Sequence, residues 1–438
     1  MLNPNLEYLY ALNREGIKLD LSVTREFSSM IGNPEKDFSA FHVTGTNGKG
    51  SITSFVYNVL QQHTPAGIYI SPHLVKFNER IMADDAFIED SYISNFIQKH
   101  MAEIEYLKLS DRNPTFFEVT TAMAFRYFSD RKVKVASIEV GLGGRLDSTN
   151  IVNPEVSIIA NIGYDHSDKL GCSLTSIAYE KAGIIKNGVP TILLDDKEEV
   201  VRTVSRIADL KTSRLIRVSK ASSVKNLRIT GNGMSFVLKT PANTYELNTS
   251  TIGDFQVRNI AAAILAVENG NTVSADKSTI ERGISQARWP ARMEIIRNDP
   301  TVMVDCAHNP PAAHALVSSF KRFINVKPRL MIGMLEDKDF FSYLRIIREL
   351  SDDIIITTPQ DTPRAMAADD LGKVARQVFD KVKVIPDPSE AYKYAIDNSD
   401  YVLIAGSMYL VGYIKMLENS SIMPFDRNVA NPEVRAVI

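Results

Sequence analysis

HVTGTNGKGSITSFVYNVL, from His42 to Leu60, passes from a β-branched stretch through a loop holding Gly45, Gly48 and Gly50 into a helical pattern. Glycines let successive backbone N–H groups converge on phosphate oxygens, Lys49 adds a positive charge, Ser51 can bind Mg²⁺, and a helix N-terminus favours an anion. The run therefore predicts a nucleoside triphosphate held between strand and helix. Its spacing is tighter than G-x-x-x-x-G-K-[ST]. The plain alternative is a glycine-rich turn, and the strand before and helix after favour the phosphate loop.

Outward from this loop, residues 40–195 alternate β-branched runs (AFHVTG, VASIEVGLGG, VSIIANIG, VPTILL) with helical patterns (GKGSITSFVYNVLQQ, SLTSIAYEKAGIIK). Such alternation predicts a mainly parallel sheet with helices on both faces and ligands at the strand C-termini. Across 213–250, RLIRVS, NLRIT, MSFVLKT and TYELNTS are parted by turn residues such as Gly231-Asn232-Gly233, which predicts an antiparallel insert. A helix over Val257 to Val267 follows. Trp289-Pro290 and Asn298-Asp299-Pro300 break the pattern before a second βα series that includes TVMVDCAHN, RLMIGML, DIIITTP, VKVIPD and YVLIAGSMYLVGYI. The expected architecture is α/β: a P-loop ATPase-type, mainly parallel sheet domain with a small antiparallel insert over 1–293, then a smaller doubly wound domain over 294–438.

A hydrophobic content of 44% over 438 residues argues against disorder. With 50 Lys and Arg against 52 Asp and Glu, no basic footprint points to nucleic acid, so small-molecule partners are expected. Cys172 and Cys306 are far apart and show no metal-thiolate spacing. MLNPNLEYLYALNREG lacks the basic and apolar regions of a signal peptide, and no run is long enough to span a bilayer. A soluble cytoplasmic protein without membrane partners is the expectation.

Three further side chains stand near predicted strand ends or face inward. Glu139 closes VKVASIEV, where a carboxylate beside a phosphate loop can hold Mg²⁺ directly or through water; the alternative is a surface Glu after an edge strand. His166, in NIGYDHSDKLG, follows VSIIANIG and could ligate a metal, although imidazole is unusual for a hard ion. Lys181 shares a helical face with Ile177 and Ile184, which is more inward than a surface lysine usually takes.

TGTNGKGS, SPHL followed by NERI, TFFEVTTAMAF, EVGLGGRLDSTN, DHSDKLG, EKAGIIK, RWPARME, DCAHNP, GMLEDKD and AGSMYLVG are similar, in order and separation, to the motifs of the folylpolyglutamate synthase and dihydrofolate synthase family of the Mur ligase superfamily. The resemblance covers nearly the whole chain. It implies that Gly48, Lys49, Gly50 and Ser51 cradle ATP, and that Ser51, Ser71, Glu139 and His166 serve Mg²⁺, as two ions. Lys181 would be carbamylated, forming an N6-carboxylysine that supports the metal site. By the same resemblance Asn259, Arg292 and Asp305 contact the nucleotide, and His308 sits near the glutamate or the γ-phosphate. Leu19, Asp20, Leu21, Thr115, Phe117 and Asp147 meet the pterin, although an aromatic such as Phe117 at helical spacing also reads as core. Lys49, Lys181 and His308 carry the catalytic expectation. The family often has Gly at Cys306 and Ala at Glu336; neither change removes an implied ligand, and Cys306 is slightly bulkier at the tight strand-to-helix turn that carries Asp305 and His308.

The implied reaction joins L-glutamate to dihydropteroate or to a reduced folate at the expense of ATP, through an acyl phosphate. A bifunctional enzyme is favoured over a monofunctional folylpolyglutamate synthase, and a monomer is implied. A cell-wall Mur ligase would need a UDP-sugar domain, and the stretch before Thr44 is short for one. A P-loop switch without ligase activity is the alternative of another class, and no NKxD motif of a GTPase is found.

Overall fold

The computed structural model describes residues 4–12, 20–110, 112–230, 233–272, 276–360 and 362–418. Strands β1 (Ser39–Thr44), β2 (Ala66–Tyr69), β3 (Ile81–Ala83), β4 (Ala86–Phe87), β5 (Val135–Glu139), β6 (Pro154–Ile159), β7 (Thr191–Leu193) and β8 (Leu215–Arg217) form one sheet in the order β4-β3-β2-β5-β1-β6-β7-β8. Pairing is parallel from β2 through β8, with β3 and β4 added as an antiparallel edge. Strands β1 and β5 are buried along nearly their whole length, which explains their continuous apolar reading in the sequence. From β1 the chain crosses over to β2, and it later returns to place β5 and β6 on either side of β1. This reversal of strand order opens a crevice beyond the C-terminal ends of β1, β5 and β6.

Two helical layers cover the sheet. Lys49–Leu60 and Asp254–Glu268 share one core with the inner faces of β1 and β6, through Phe55, Val59, Ile260 and Ile264. Phe116–Asp130 packs the opposite face through Val119, Met123 and Phe128. The antiparallel insert consists of β9 (Ser223–Thr230), β10 (Gly233–Lys239) and β11 (Thr244–Thr249), in the order β11-β10-β9. Its buried face, with Phe236, Leu238 and Tyr245, extends the first core.

Several expectations are corrected here. RLIRVS belongs to the parallel sheet, because Leu215 to Arg217 pair with Thr191 to Leu193. The intervening helix Glu198–Leu210 buries Val200, Val204 and Ala208 along one stripe and makes a βαβ crossover, so the insert begins only at Ser223. Strands β2, β3 and β4 are two to four residues long, too short to carry a strand pattern in the sequence. Gly231 and Asn232 of the expected turn lie outside the described residues.

A second sheet, β12 (Glu294–Asn298), β13 (Thr301–Val304), β14 (Arg329–Ile332), β15 (Asp353–Ile356), β16 (Lys381–Val384) and β17 (Tyr401–Ala405), runs β12-β13-β17-β14-β15-β16. All its pairs are parallel except β12 with β13. Separate apolar clusters fill its two faces, as a doubly wound sheet requires. Among the described residues no helix is long and apolar enough to cross a membrane.

Candidate active site

The loop after β1 is tied down before any ligand is considered. Thr44 Oγ1 donates to the Gly143 carbonyl at 2.5 Å, the Thr46 N–H donates to Asn161 O at 2.7 Å, and Thr46 Oγ1 donates to Gly163 O at 3.0 Å. Gly48 has φ +89°, and a Cβ there would stand 2.9 Å from Asn259 Oδ1, so conformation and close approach both require glycine. Gly50 answers to a different neighbour. A Cβ at that position would lie 2.4 Å from Trp289 Cζ2, so this glycine admits the chain that leads to the second sheet.

Lys49 begins the helix Lys49–Leu60, and its Nζ donates to the carbonyls of Gly45 at 3.0 Å and Thr46 at 3.3 Å. Ser51 is buried and accepts from Gln256 Nε2 at 3.3 Å, while Asn259 Nδ2 donates to Gln256 Oε1 at 2.8 Å. Gln256 thus joins Asn259 to the loop, a link invisible in the sequence because it crosses from one helix to another.

Glu139 ends β5, a central strand rather than the edge strand of the plain reading. It is buried, and its Oε2 accepts the Ser71 N–H at 3.2 Å. Burial raises its pKa, and Lys49 is the strongest influence in the other direction. Lys49 also lies close enough to His166 and Lys181 to disfavour their charged forms, so the loop lysine faces all three expected partners. His166 sits at φ +52°, with its pKa pushed down by burial to about 4, and so presents a neutral imidazole. Lys181 is buried and donates to the same Gly45 carbonyl as Lys49, at 2.8 Å. Burial and the charge of Lys49 hold its pKa well below the ordinary value.

Among the described residues no trio of His, Cys, Asp or Glu makes a metal cage. One carboxylate, one imidazole and the hydroxyls of Ser51 and Ser71 nonetheless fit Mg²⁺, which takes few protein ligands and completes its shell with water and phosphate oxygens.

The second sheet domain meets this crevice from above. Asp305, after β13, accepts from the Met293 N–H at 2.9 Å and the Ala307 N–H at 2.7 Å, with burial raising its pKa and Arg292 opposing the rise. Cys306 is packed in the core, and its thiol is pushed up by burial to about 11, so it is not a reactive thiolate. His308 Nδ1 lies 2.9 Å from Cys306 O, and its Nε2 is 3.8 Å from Asp165 Oδ2. Asp165 collects the second domain: it accepts from Lys338 Nζ at 2.8 Å and from Asn309 Nδ2 at 3.1 Å, while Asn47 Nδ2 donates to Asn309 Oδ1 at 3.2 Å. Neither Asp165 nor Lys338 was singled out from sequence, although each lies inside a quoted motif. Glu336 is exposed.

The pterin set is divided. Thr115 caps the helix Phe116–Asp130 in a reciprocal pair with Glu118, and Phe117 is half-buried, stacked on Tyr69 at 6.1 Å between centroids. Asp147 is buried and engaged by its own loop, accepting from the N–H groups of Leu142 at 2.8 Å and Thr149 at 3.0 Å. Asp20 is exposed and accepts from the Ser22 N–H, and Leu21 caps the helix Ser22–Met30. That helix reaches the Thr115 cap through Thr24 Oγ1, 3.4 Å from Glu118 Oε1. Leu19 lies outside the described residues.

A phosphate loop at the sheet crevice, faced by a second α/β domain bearing Asp305 and His308, is the arrangement of a Mur-type ligase. The model of the Mur ligase middle domain matches residues 43–267, and that of the Mur ligase glutamate ligase domain matches 291–408. The chain belongs to the dihydrofolate synthase/folylpolyglutamate synthase family within that class. It is 33% identical to the dihydrofolate synthase/folylpolyglutamate synthase of Bacillus subtilis, over 91% of this chain and 95% of the relative. The structure of Mycobacterium tuberculosis folylpolyglutamate synthase complexed with ADP superposes with a TM-score of 0.90 at 27% identity, covering 95% of this chain and 98% of that one. Escherichia coli FolC in complex with DHPP and ADP gives 0.84 at 29% identity, with the same coverage.

Proposed function

We propose that this chain uses ATP to join L-glutamate to dihydropteroate and to tetrahydrofolate, giving dihydrofolate and folylpolyglutamates. The observation that supports this reading is Arg292, which lies close enough to both Glu139 of the first domain and Asp305 of the second to bear on their charges, in a chain similar along its length to a relative bound to DHPP and ADP. We place the boundary between the two domains at Met293 and Glu294.

A carboxylate is a poor acyl donor because its leaving group would be oxide. Phosphorylation by ATP makes an acyl phosphate, which the amine of glutamate attacks, releasing phosphate. Lys49 and the N–H groups from Gly48 to Ser51 balance the phosphoryl charge, and Asn259 and Arg292 position the nucleotide. Ser51, Ser71, Glu139 and His166 would hold Mg²⁺, which supplies further charge neutralisation at the phosphates. Lys181 as a neutral buried amine is the form that carbon dioxide carbamylates, and the resulting anion would support the same metal. Asp305 and His308 approach from the second domain, and closure excludes water that would hydrolyse the intermediate. Thr115, Phe117, Asp147 and the segment Leu19 to Leu21 are assigned to the pterin side.

ADP release in the presence of glutamate, compared between dihydropteroate and tetrahydrofolate, tests the reading. Turnover with both acids is expected. Turnover with tetrahydrofolate alone would make the enzyme a monofunctional folylpolyglutamate synthase, and ATP hydrolysis indifferent to either acid would leave a nucleotide switch.

A further inference from the structure

Arg80 ends the short helical turn Phe77–Arg80 and leads into β3. Its carbonyl accepts the Ile70 N–H at 2.9 Å, which sets the residue beside Ser71. The residue is only 8% exposed. The guanidinium carbon lies 5.1 Å from the Phe116 ring centroid and 6.0 Å from that of Phe77, with Tyr10 stacked on Phe116 at 5.6 Å. Arg80 Nε donates to His73 Nδ1 at 2.8 Å.

Among the described residues, no carboxylate forms an ion pair with this guanidinium, and its one described side-chain hydrogen bond is that from Nε to His73. The adjacent Glu79 does not serve: its carboxylate accepts the N–H groups of Leu74 at 2.7 Å, Val75 at 3.0 Å and Lys76 at 2.7 Å. Glu139 is directed to the Ser71 N–H. Stacking on aromatic faces offsets part of the cost of burying a cation, and the Nη atoms are not among the fully enclosed polar atoms of the described residues, so they stay open to an acceptor on a bound ligand. Such a fork is shaped for a planar carboxylate. Its surroundings say where that carboxylate would come from. Phe116 adjoins Thr115 and Phe117 on one side, Glu139 stands on another, and Tyr409, at the start of the second-domain helix Met408–Leu417, is also close.

We propose that Arg80 is a substrate-binding residue that grips a carboxylate of one ligation substrate, either the acid to be activated or the incoming glutamate. This rests on the ligase reading above. The common chemistry is a bidentate guanidinium–carboxylate pair at the seam between the domains.

Steady-state ADP release by the full chain decides it, with each substrate varied in turn for wild type, Arg80→Met and Arg80→Lys. Arg80→Met is expected to raise KM for one carboxylate substrate by about tenfold or more, leaving KM for ATP within about twofold. Arg80→Lys, which keeps the charge and loses the fork, should fall between. The acid whose KM moves identifies the source. Equal shifts for all substrates, or none, overturn the proposal; if Arg80→Met does not fold, Arg80→Lys decides by the same split. Should wild type release no ADP with either acid, the ligase reading fails by itself. Calorimetric titration of wild type and Arg80→Lys with glutamate and with dihydropteroate then decides for Arg80, and equal affinities overturn it.

Discussion

Lys338 crosses from the second domain to Asp165 of the first, with Nζ 2.8 Å from Oδ1 and both side chains largely buried. Asp165 precedes His166, so the contact joins the docking of the second domain to the backbone that carries a proposed metal ligand. Removing one partner of such a pair leaves the other buried and uncompensated. Lys338→Met is expected to lower kcat/KM by about 2 kcal/mol, roughly thirtyfold, while the melting temperature of the first domain changes little. Unaltered turnover in that variant would refute a role in closure.

Lys49 is proposed to supply charge at the phosphates, and among the described residues its Nζ donates to the carbonyls of Gly45 and Thr46 in its own loop. Lys49→Ala should therefore reduce ligation by about two to three orders of magnitude with the fold intact, as read by ADP release and circular dichroism. Near-normal turnover would sink the phosphate-loop mechanism.

Lys181 reaches the Gly45 carbonyl from a buried position that disfavours its ammonium form. Activity should fall when the enzyme is stripped of carbon dioxide and return on adding bicarbonate. Lys181→Ala should lose about a hundredfold or more, with partial rescue by a short carboxylate such as acetate. A wild-type activity indifferent to bicarbonate, together with no rescue, would refute carbamylation.

His42 lies wholly buried in β1, with Nε2 2.8 Å from Thr149 Oγ1 and its pKa driven by burial from 6.5 to about 3. A base whose folded pKa is depressed contributes stability that is present above the unfolded value of 6.5 and lost as pH falls towards 3. Between about pH 7 and about pH 5 this group should account for a loss of about 2 kcal/mol. His42→Gln, which cannot take up that proton, should flatten the decline in urea unfolding. An identical pH dependence in the two proteins would show that another group governs it.

What the sequence disclosed follows from how local each signal is. The phosphate loop was legible because its glycines, Lys49 and Ser51 act within one turn of chain, and Lys181 because its inward face repeats at helical spacing. Asp165 with Lys338, and Gln256 with Ser51, depend on contacts between distant segments, and nothing in their own neighbourhoods marks them. Arg80 within NERI reads as an ordinary arginine; its burial with no ion pair among the described residues sets it apart. The strand RLIRVS was misassigned because three residues carry too little pattern to choose between a parallel edge and an antiparallel insert, although the amphipathic stripe of Glu198–Leu210 before it held the answer.

Trp289 packs closely against Gly50 and is the sole tryptophan of the chain, with its indole N–H buried and unpaired among the described residues. Its place makes it a built-in optical gauge. Indole emission responds to small changes in packing and polarity, and this ring touches the loop at Gly50 while its own residue stands in the stretch that leads to β12. Seating a triphosphate should change the emission of the unlabelled protein, so loop occupancy could be followed in real time by stopped-flow, separately from turnover.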